Sequence, residues 1–462
     1  MIRSVNFTLW FLLGFAADLA GQTVVSTAKE FQSAVSRLSA GETLVLKDGT
    51  YDIGSCKIQT VGSEGTPVLV RAEHVGGVTL IGKSSFTLSR AAWVTVEGFV
   101  FASDVLTAVK TESAQHCRIT HCTFRLTEPD AGTKYPWIRI AAYYADTECL
   151  SASNRIDNCL FENKSRTGNY ITIAGINGQQ SRHDLIDHNI FRNISPRAEN
   201  EKEAIRIGDS SVSNSDGYTV VEHNVFEDCD GDPEIVSVKS CRDTVRSNTF
   251  RRCCGTLSLR QGVRSYVADN AFYGEGKTAL GDDGKTQIGC GGIRACSLGH
   301  VIVNNRMEGL TGDKFDAAFV LTNGDLENTE ANLSSNPSAH FIPEQILFAY
   351  NTLKDCKSNI EIGYKYAKSP KNDTIVCNTI IGTAPFMTVY IDGTKPTAYF
   401  TERAGGAAST FVIHDNLLVA TRIEPIQQLP PTENNPAYNL AGQHVSGGGR
   451  GLVIRKGKKY LR

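Results

Sequence analysis

Residues that could do chemistry concentrate in four successive segments of the chain. The segments are AENEKEAIRIG (198–208), CDGDPEIVSVKS (229–240), GTLSLRQG (255–262) and GGIRACS (291–297). They offer carboxylates, an amide, a lysine and arginines, and such groups can remove a weakly acidic proton when the fold brings them together. The alternative interpretation is a set of isolated surface charges, and the fold decides between the two.

Elimination next to a sugar carboxylate shows which residues could take each role. A cation on the carboxylate stabilises the enolate-like intermediate, and Ca²⁺ accepts oxygen ligands of the kind that Asn200, Asp232 and Glu234 carry. Lys239 is the candidate base, provided that positive charge or burial lowers its pKa. Arg260 can stabilise the departing oxygen at carbon-4 or relay a proton to it.

Two further arginines are candidate substrate ligands. Arg206 and Arg294 occur in the same segments, and a guanidinium can bind a carboxylate through two parallel hydrogen bonds. Each could instead be an ordinary exposed arginine, and the sequence leaves both interpretations open.

A repeated phrase runs through most of the chain and predicts the fold. It consists of an apolar strand, then Asn, one further residue and a large apolar residue. Copies occur at 185–191, 220–226, 244–250, 266–272, 301–307, 347–353, 374–380 and 412–418. Phe226 and Phe250 are 24 residues apart, Phe250 and Phe272 are 22 apart, and the longer intervals indicate insertions.

A unit of this length is typical of a leucine-rich repeat or of one coil of a parallel β-helix. The leucine consensus and its helical half are missing, whereas Val, Ile, Thr, Asn and Gly dominate and a second strand often follows. The pattern therefore predicts an all-β, right-handed parallel β-helix. Stacked coils lie about 4.8 Å apart, which would bring the four segments onto one face.

The repeated phrase and the chain start predict local details. The Asn should adopt a left-handed conformation at the bend and form a hydrogen-bonded ladder, and the Phe should point inward. The segment 27–38 predicts an amphipathic helix that caps the solenoid, with Thr27 and Glu30 as a capping box. Cys117, Cys122, Cys159 and Cys377 are expected to be small buried side chains.

Composition and the chain ends set the cellular context. Residues 1–21 have the charged, apolar, small-residue order of a signal peptide, although a buried N-terminal element is the alternative. Residues 22–425 should form the β-helix, and residues 426–462 a coil or tail covering its end. A net charge of -2 gives no general attraction to nucleic acid. We expect a secreted or periplasmic protein without membrane insertion, and a monomer.

The chain resembles polysaccharide lyase family 6, which contains alginate lyases and chondroitinase B. The resemblance covers most of residues 22 to about 420 and is strongest from NEKEAIRIG to the segment MEGLTG (307–312). The family's lysine lies five residues after the second acid of its acidic pair, and its arginine 21 further on; Glu234, Lys239 and Arg260 match both intervals. The resemblance implies Lys239 as Brønsted base, Arg260 as Brønsted acid and a Ca²⁺ site at Asn200, Asp232 and Glu234.

Two residues depart from the family pattern. Asp232 stands where the family usually has Glu, and Gln261 stands where a His usually follows the arginine. Gln261 can donate a hydrogen bond to substrate but cannot titrate.

The segments around Arg294 look more like the alginate lyases, so cleavage of mannuronate-containing alginate by β-elimination is the favoured expectation. A dermatan sulfate lyase with the same mechanism is the nearest rival. Two hypotheses with different chemistry are a β-helix hydrolase that uses a set of Asp residues and a solenoid that binds polysaccharide without cleaving it.

Overall fold

The computed structural model describes residues 21–129, 134–400 and 402–420, together with the backbone of three short strands beyond residue 426. The chain divides into two compact units, Met1–Asn193 with Ile205–Asn224, and Ile194–Ala204 with Val225–Arg462. In each unit, successive coils contribute one short strand to each of three parallel sheets. The predicted all-β class and the parallel β-helix are therefore confirmed.

The first unit contains three groups of strands. One sheet contains Gln22–Val25, Thr43–Leu46, Val68–Ala72, Val94–Glu97, Arg118–Thr120, Arg155–Asp157, Leu185–Asp187 and Val220–Glu222. The next contains Ser55–Ile58, Ser85–Ser89, Val109–Glu112, Ile138–Ala141, Ile171–Ile173 and Ile205–Ile207. The third contains Gly49–Tyr51, Val78–Leu80, Phe99–Phe101, Thr123–Phe124, Leu160–Lys164 and Ile190–Ile194.

The second unit repeats this arrangement. One sheet contains Thr244–Arg246, Tyr266–Ala268, Val301–Val303, Leu347–Ala349, Thr374–Val376 and Val412–His414. The next contains Glu234–Val238, Thr256–Leu259, Ile293–Ala295, Phe319–Leu321, Ile360–Ile362, Met387–Ile391 and the antiparallel Lys395–Tyr399. The third contains Val225–Cys229, Thr249–Arg251, Ala271–Tyr273, Arg306–Glu308, Thr352–Lys354, Thr379–Ile381 and Leu417–Val419.

A few elements lie outside the coils. Two small hairpins pair Gly175–Ile176 with Gln179–Gln180, and Thr278–Leu280 with Gln287–Gly289. The α-helices are Ala28–Val35 and Glu330–Ser335, and short 3₁₀ turns occur at Ser210–Val212, Lys314–Asp316 and Gly406–Ala408. Of the predicted tail, only the backbone strands Gln427–Gln428, Leu452–Arg455 and Lys458–Leu461 are described. The predicted signal peptide, except Gly21, lies outside the described residues.

Aromatic side chains of the repeat stack through the core, as predicted. Phe226 pairs in register with Phe250, and Phe250 with Phe272. Their ring centroids are 4.6 and 4.5 Å apart with nearly parallel planes, and none of the three is more than 2% exposed. The large apolar residue of each phrase therefore aligns one coil on the next.

The asparagine ladder is also present, with one correction. The backbone N–H of Asn248 donates to Oδ1 of Asn270 at 3.0 Å, and the same contact recurs from Asn270, Asn305, Asn351 and Asn378 to the next Asn of the ladder. The left-handed conformation, however, belongs to the preceding residue, such as Ser247 (φ 54°) and Asp269 (φ 58°). The predicted left-handed Asn is thus wrong, because the bend occurs one residue earlier and leaves the buried amide free to bond along the stack.

The helix Ala28–Val35 begins at Thr27, and the predicted capping box with Glu30 is confirmed: the Thr27 hydroxyl accepts from the Glu30 amide and the Glu30 carboxylate accepts from the Thr27 amide. Phe31 is completely buried and its ring contacts Phe86 edge-on at 6.2 Å. The helix therefore covers apolar core residues of the first unit. No helix among the described residues is long and apolar enough to cross a membrane.

All thirteen cysteines are free thiols. Cys117, Cys122 and Cys159 are buried, as predicted, but the prediction is wrong for Cys377, which is only partly buried. Cys377 occupies the left-handed position (φ 56°) before a ladder Asn, so it lies on the bend rather than inside the strand.

Candidate active site

The strand Glu234–Val238 and its neighbours Thr256–Leu259 and Ile293–Ala295 carry the centre of the site. A register shift between Glu234 and Val236 marks a β-bulge. Residues three apart in a regular strand face opposite sides, whereas the bulge allows the Ser237 hydroxyl to donate to the Glu234 carboxylate. The bulge therefore turns an acidic residue at the strand start towards the polar face.

Glu234 is the centre of a buried polar network. Its carboxylate forms an ion pair with Arg294 and accepts a hydrogen bond from the Ser258 hydroxyl at 3.2 Å. Burial by itself raises the pKa of Glu234, but the charges of Arg294 and Lys239 outweigh it and lower the pKa below its usual value. Glu234 is therefore ionised at neutral pH, and Arg294 is not an ordinary exposed arginine, since its side chain is only 11% exposed.

Asp232 lies in a cluster of acidic groups. Its two carboxylate oxygens accept hydrogen bonds from the backbone amides of Glu234 at 2.9 Å and Lys202 at 3.1 Å. Burial, followed by the negative charges of Glu203 and Glu234, raises the pKa of Asp232 well above its usual value. Buried negative charge of this kind is stabilised by nearby positive charge, which Lys239 supplies beside Glu203.

Lys239 and Arg260 follow the ends of two paired strands. Val238 pairs with Leu259, so the next residue of each coil, Lys239 and Arg260, emerges at the same edge of the sheet. Lys239 is 17% exposed, and its Nζ lies 3.9 Å from a carboxylate oxygen of Glu203. The predicted base and the predicted acid are thus brought to neighbouring coils.

The loop from Gly324 to Ile342 packs onto Arg260. The Arg260 guanidinium donates to the carbonyl oxygens of Ala339 at 3.2 Å and Ser338 at 3.3 Å, and its Nη2 lies 3.4 Å from Nδ1 of His340. The neighbouring Gln261 is buried and donates through Nε2 to the Pro337 carbonyl. The predicted role of Gln261 at the substrate stays a prediction, and the structure adds that its side chain holds this loop.

His340 and its partner Tyr366 were not identified from the sequence. The Tyr366 hydroxyl lies 2.9 Å from Nε2 of His340, and the two rings stack with centroids 4.3 Å apart. The one available signal was the interval of 46 residues between Asn305 and Asn351, about twice that of the shortest coil, which marks a long insertion beside the site.

Asn200 and Arg206 are the remaining predicted site residues. Asn200 is exposed, and its side-chain oxygen accepts from the Glu201 amide at 2.9 Å. Arg206 lies on the strand Ile205–Ile207 of the first unit, in register with Thr172. Its Nε is buried without a hydrogen-bond partner among the described residues. The roles predicted for both residues stay predictions.

The donor set suits a calcium ion. The two oxygens of Asp232 accept backbone amides, a carboxylate oxygen has a second lone pair for a metal ion, and the amide oxygen of Asn200 is a ligand of the same hard type. The buried carboxylates of Asp232 and Glu203 supply negative charge beside Lys239, and Glu234 pairs with Arg294. By ligand type, Asn200, Asp232 and Glu234 suit Ca²⁺, and the bound ion stays a prediction.

Comparison with known proteins places the chain in a family. The model of the chondroitinase B family matches residues 25–393. A mannuronic acid specific polysaccharide family 6 lyase from the human gut microbiota is 25% identical, with a TM-score of 0.71 over 87% of this chain and 86% of its own. Comparison with curated protein sequences finds no match.

Two other solved structures share the fold. The PL6 family alginate lyase AlyGC is 24% identical, with a TM-score of 0.71 over 92% of this chain, which spans 55% of that longer protein. A PL6 alginate lyase in complex with a trisaccharide is 20% identical, with a TM-score of 0.63 over 89% of this chain and 98% of its own.

The β-helix and the family model that matches most of the chain identify a polysaccharide lyase. The chain belongs to polysaccharide lyase family 6, the family of chondroitinase B, and lies closer to its alginate lyases.

Proposed function

We propose that the protein cleaves alginate at mannuronate-containing stretches by β-elimination, leaving unsaturated uronate ends. The observation that carries the proposal is the emergence of Lys239 and Arg260 from paired strand ends beside the buried Glu234–Arg294 pair. The alginate preference rests on the family 6 lyase that is described as mannuronic acid specific and that matches along most of both chains.

Lys239 acts on the proton at carbon-5, and Arg260 acts on the departing oxygen at carbon-4. Lys239, as the free amine, accepts the proton from carbon-5 of the uronate, and the electron pair of that bond forms the double bond to carbon-4. The bond from carbon-4 to the bridging oxygen breaks as this double bond forms, and Arg260 donates hydrogen bonds to the departing oxygen. The proton that Lys239 accepted is passed to this oxygen, so both side chains return to their starting protonation states. No water is consumed, so the new non-reducing end is unsaturated.

Arg260 keeps donors for this task. A guanidinium carries five N–H groups, and three of them point to Ser338, Ala339 and His340. Among the described residues, Nε and one hydrogen of Nη1 have no partner. These two donors are available to a substrate oxygen, while the other three fix the plane of the group.

Positive charge at the substrate carboxylate is expected from Arg294 and from the predicted Ca²⁺ site. We propose that Asn200, Asp232 and Glu234 hold the ion, which when bound neutralises that carboxylate and makes the neighbouring proton more acidic. Arg294, stacked 5.5 Å from the Phe315 ring and paired with Glu234, provides a fixed positive charge in the same network. Arg206 and Gln261 are proposed as further substrate ligands.

A panel of defined polymers tests the substrate. Polymannuronate, polyguluronate and dermatan sulfate are incubated with the purified protein, and the ultraviolet absorbance of the conjugated double bond is followed. The proposal predicts the fastest increase with polymannuronate and none with dermatan sulfate. Activity confined to dermatan sulfate would establish the rival substrate, and binding without any increase would indicate a non-catalytic solenoid.

Removal of calcium should slow the reaction. Because the ion offsets charge on the substrate carboxylate, treatment with a chelator is expected to lower kcat roughly 100-fold, with recovery when calcium is returned. Asp232→Asn should show the low rate in both conditions. If neither the chelator nor added calcium changes the rate of the wild-type enzyme, Arg294 and the other cationic side chains are sufficient to stabilise the substrate carboxylate.

Export and a monomeric state are also proposed. The charged start and apolar run of residues 1–21 support cleavage of a signal peptide and release outside the cytoplasm. Intact-mass measurement of the exported protein should give a chain that begins at Gln22, and light scattering should give the mass of one chain. An exported protein that still carries Met1 would contradict the cleavage.

A further inference from the structure

His340 lies where the loop 324–342 returns to the sheet, and three kinds of contact fix its ring. Nδ1 faces Nη2 of Arg260 at 3.4 Å, Nε2 faces the Tyr366 hydroxyl at 2.9 Å, and the ring stacks on Tyr366 at 4.3 Å. Asp325 approaches the same Nδ1 at 3.3 Å. The imidazole is therefore held between the proposed acid and a phenol, with a carboxylate at its side.

The surroundings determine the proton state of this ring. Burial lowers the pKa of His340 to about 4, and the positive charges of Arg260 and Arg294 act in the same direction, against the opposing charge of Asp325. The ring is thus neutral at neutral pH. A guanidinium can only donate, so Nδ1 accepts from Arg260, and Nε2 carries the hydrogen and donates to the Tyr366 oxygen.

This arrangement completes a set of acceptors around one side of Arg260. The carbonyl oxygens of Ser338 and Ala339 and the Nδ1 of His340 all come from consecutive residues of one loop. Gln261 holds the same loop through the Pro337 carbonyl. A long flexible side chain loses conformational entropy when three contacts fix it. Because the loop fixes Arg260 before substrate binds, this entropy is not lost during the reaction.

We propose that His340 is a positioning residue for the reaction: its Nδ1 orients the Arg260 guanidinium, and Tyr366 holds the imidazole for that task. The inference rests on the proposed function, because it assigns to Arg260 the contact with the departing oxygen. His340 itself does not exchange a proton with substrate.

Three substitutions at one position separate positioning from bulk. Asn places its side-chain oxygen near the position of Nδ1 and can still accept from Arg260, whereas Gln places its amide near Nε2 and retains the contact with Tyr366. His340→Ala should lower kcat about 10- to 100-fold with little change in KM, because the Arg260 guanidinium is then less well oriented towards the departing oxygen. His340→Asn should recover most of this loss and His340→Gln should not.

Tyr366→Phe provides a second test that leaves the loop intact. It removes the acceptor for Nε2–H and keeps the stacked ring, so a smaller fall in kcat, again without a KM change, is expected. A His340→Ala enzyme with wild-type kcat would overturn the proposal. Equal losses in His340→Ala, His340→Asn and His340→Gln, with normal unfolding midpoints, would overturn it as well.

A readout without turnover separates this proposal from the proposed function. Nitrogen NMR of the Arg260 side chain in the wild-type protein should show a resolved Nη2 signal, because the contacts of this nitrogen to Ser338 and His340 restrict rotation of the guanidinium. His340→Ala should broaden or shift that signal and His340→Asn should restore it. If no polymer is cleaved but this pattern appears, the lyase assignment fails while the positioning contact stands; an unchanged signal in His340→Ala contradicts the contact itself.

Discussion

Replacement of Lys239 by alanine is expected to lower kcat roughly 1000-fold, within the range that loss of a general base causes. Lys239 stands one residue beyond a strand whose end is paired with the strand that leads to Arg260. Its side chain is only 17% exposed, so no water or neighbouring amine takes its place easily. Initial rates on polymannuronate at saturating concentration measure the effect.

Two matched variants show whether the proton or the charge matters. Lys239→Arg retains a positive charge beside Glu203 but cannot release a proton near neutral pH, so it should be nearly as inactive as the alanine variant. Lys83→Ala removes an exposed lysine of the first unit, paired with Asp104, and should leave the rate unchanged. Near-normal activity of Lys239→Arg would remove Lys239 from the role of base.

Replacement of Phe250 by alanine should produce the largest loss of stability, about 3–5 kcal/mol. Its ring is stacked between Phe226 and Phe272 in the core, so truncation leaves a cavity that rigid neighbouring coils cannot fill. The free energy of unfolding from urea titration measures the loss. Activity at low temperature should be retained, because the strand that carries Phe250 belongs to another sheet than the site.

Tyr266→Ala is the control for ring size. Tyr266 begins a nearby strand but is 40% exposed, so its removal should cost less than about 1 kcal/mol. Equal destabilisation by the two substitutions would mean that the stacked ladder adds nothing beyond general loss of aromatic surface.

The repeat made the fold predictable because each coil has to satisfy the same physical demands. The inward Phe and the Asn at the bend recur at the same phase, so local pattern and long-range pairing agree. The left-handed residue was assigned one position late, to Asn270 instead of Asp269, because the sequence shows which residue types occur at a bend and not which of them carries the turn.

The same stacking made part of the site predictable. Lys239 and Arg260 were placed together because they follow equivalent strands of adjacent coils, and the register bears out that proximity. The β-bulge that directs Glu234 to Ser237 was not predictable, because the pattern of apolar residues along the strand does not show it.

The contribution of His340 was not predictable in the same way. It comes from an insertion without a repeat phase, and only the folded loop shows that it reaches Arg260. The spacing of the repeat therefore predicts which residues of the coils lie together at the site, whereas the position of a residue on an insertion is known only from the structure.

The chemical form of the product tests the central claim most directly. Oligosaccharides released from polymannuronate are analysed by mass spectrometry and proton NMR. Elimination predicts fragments whose new non-reducing ends lack one water relative to a saturated oligomer and carry an olefinic proton at carbon-4. Fragments with saturated ends, heavier by that one water, would show hydrolysis and contradict the assignment of Lys239 and Arg260 to β-elimination.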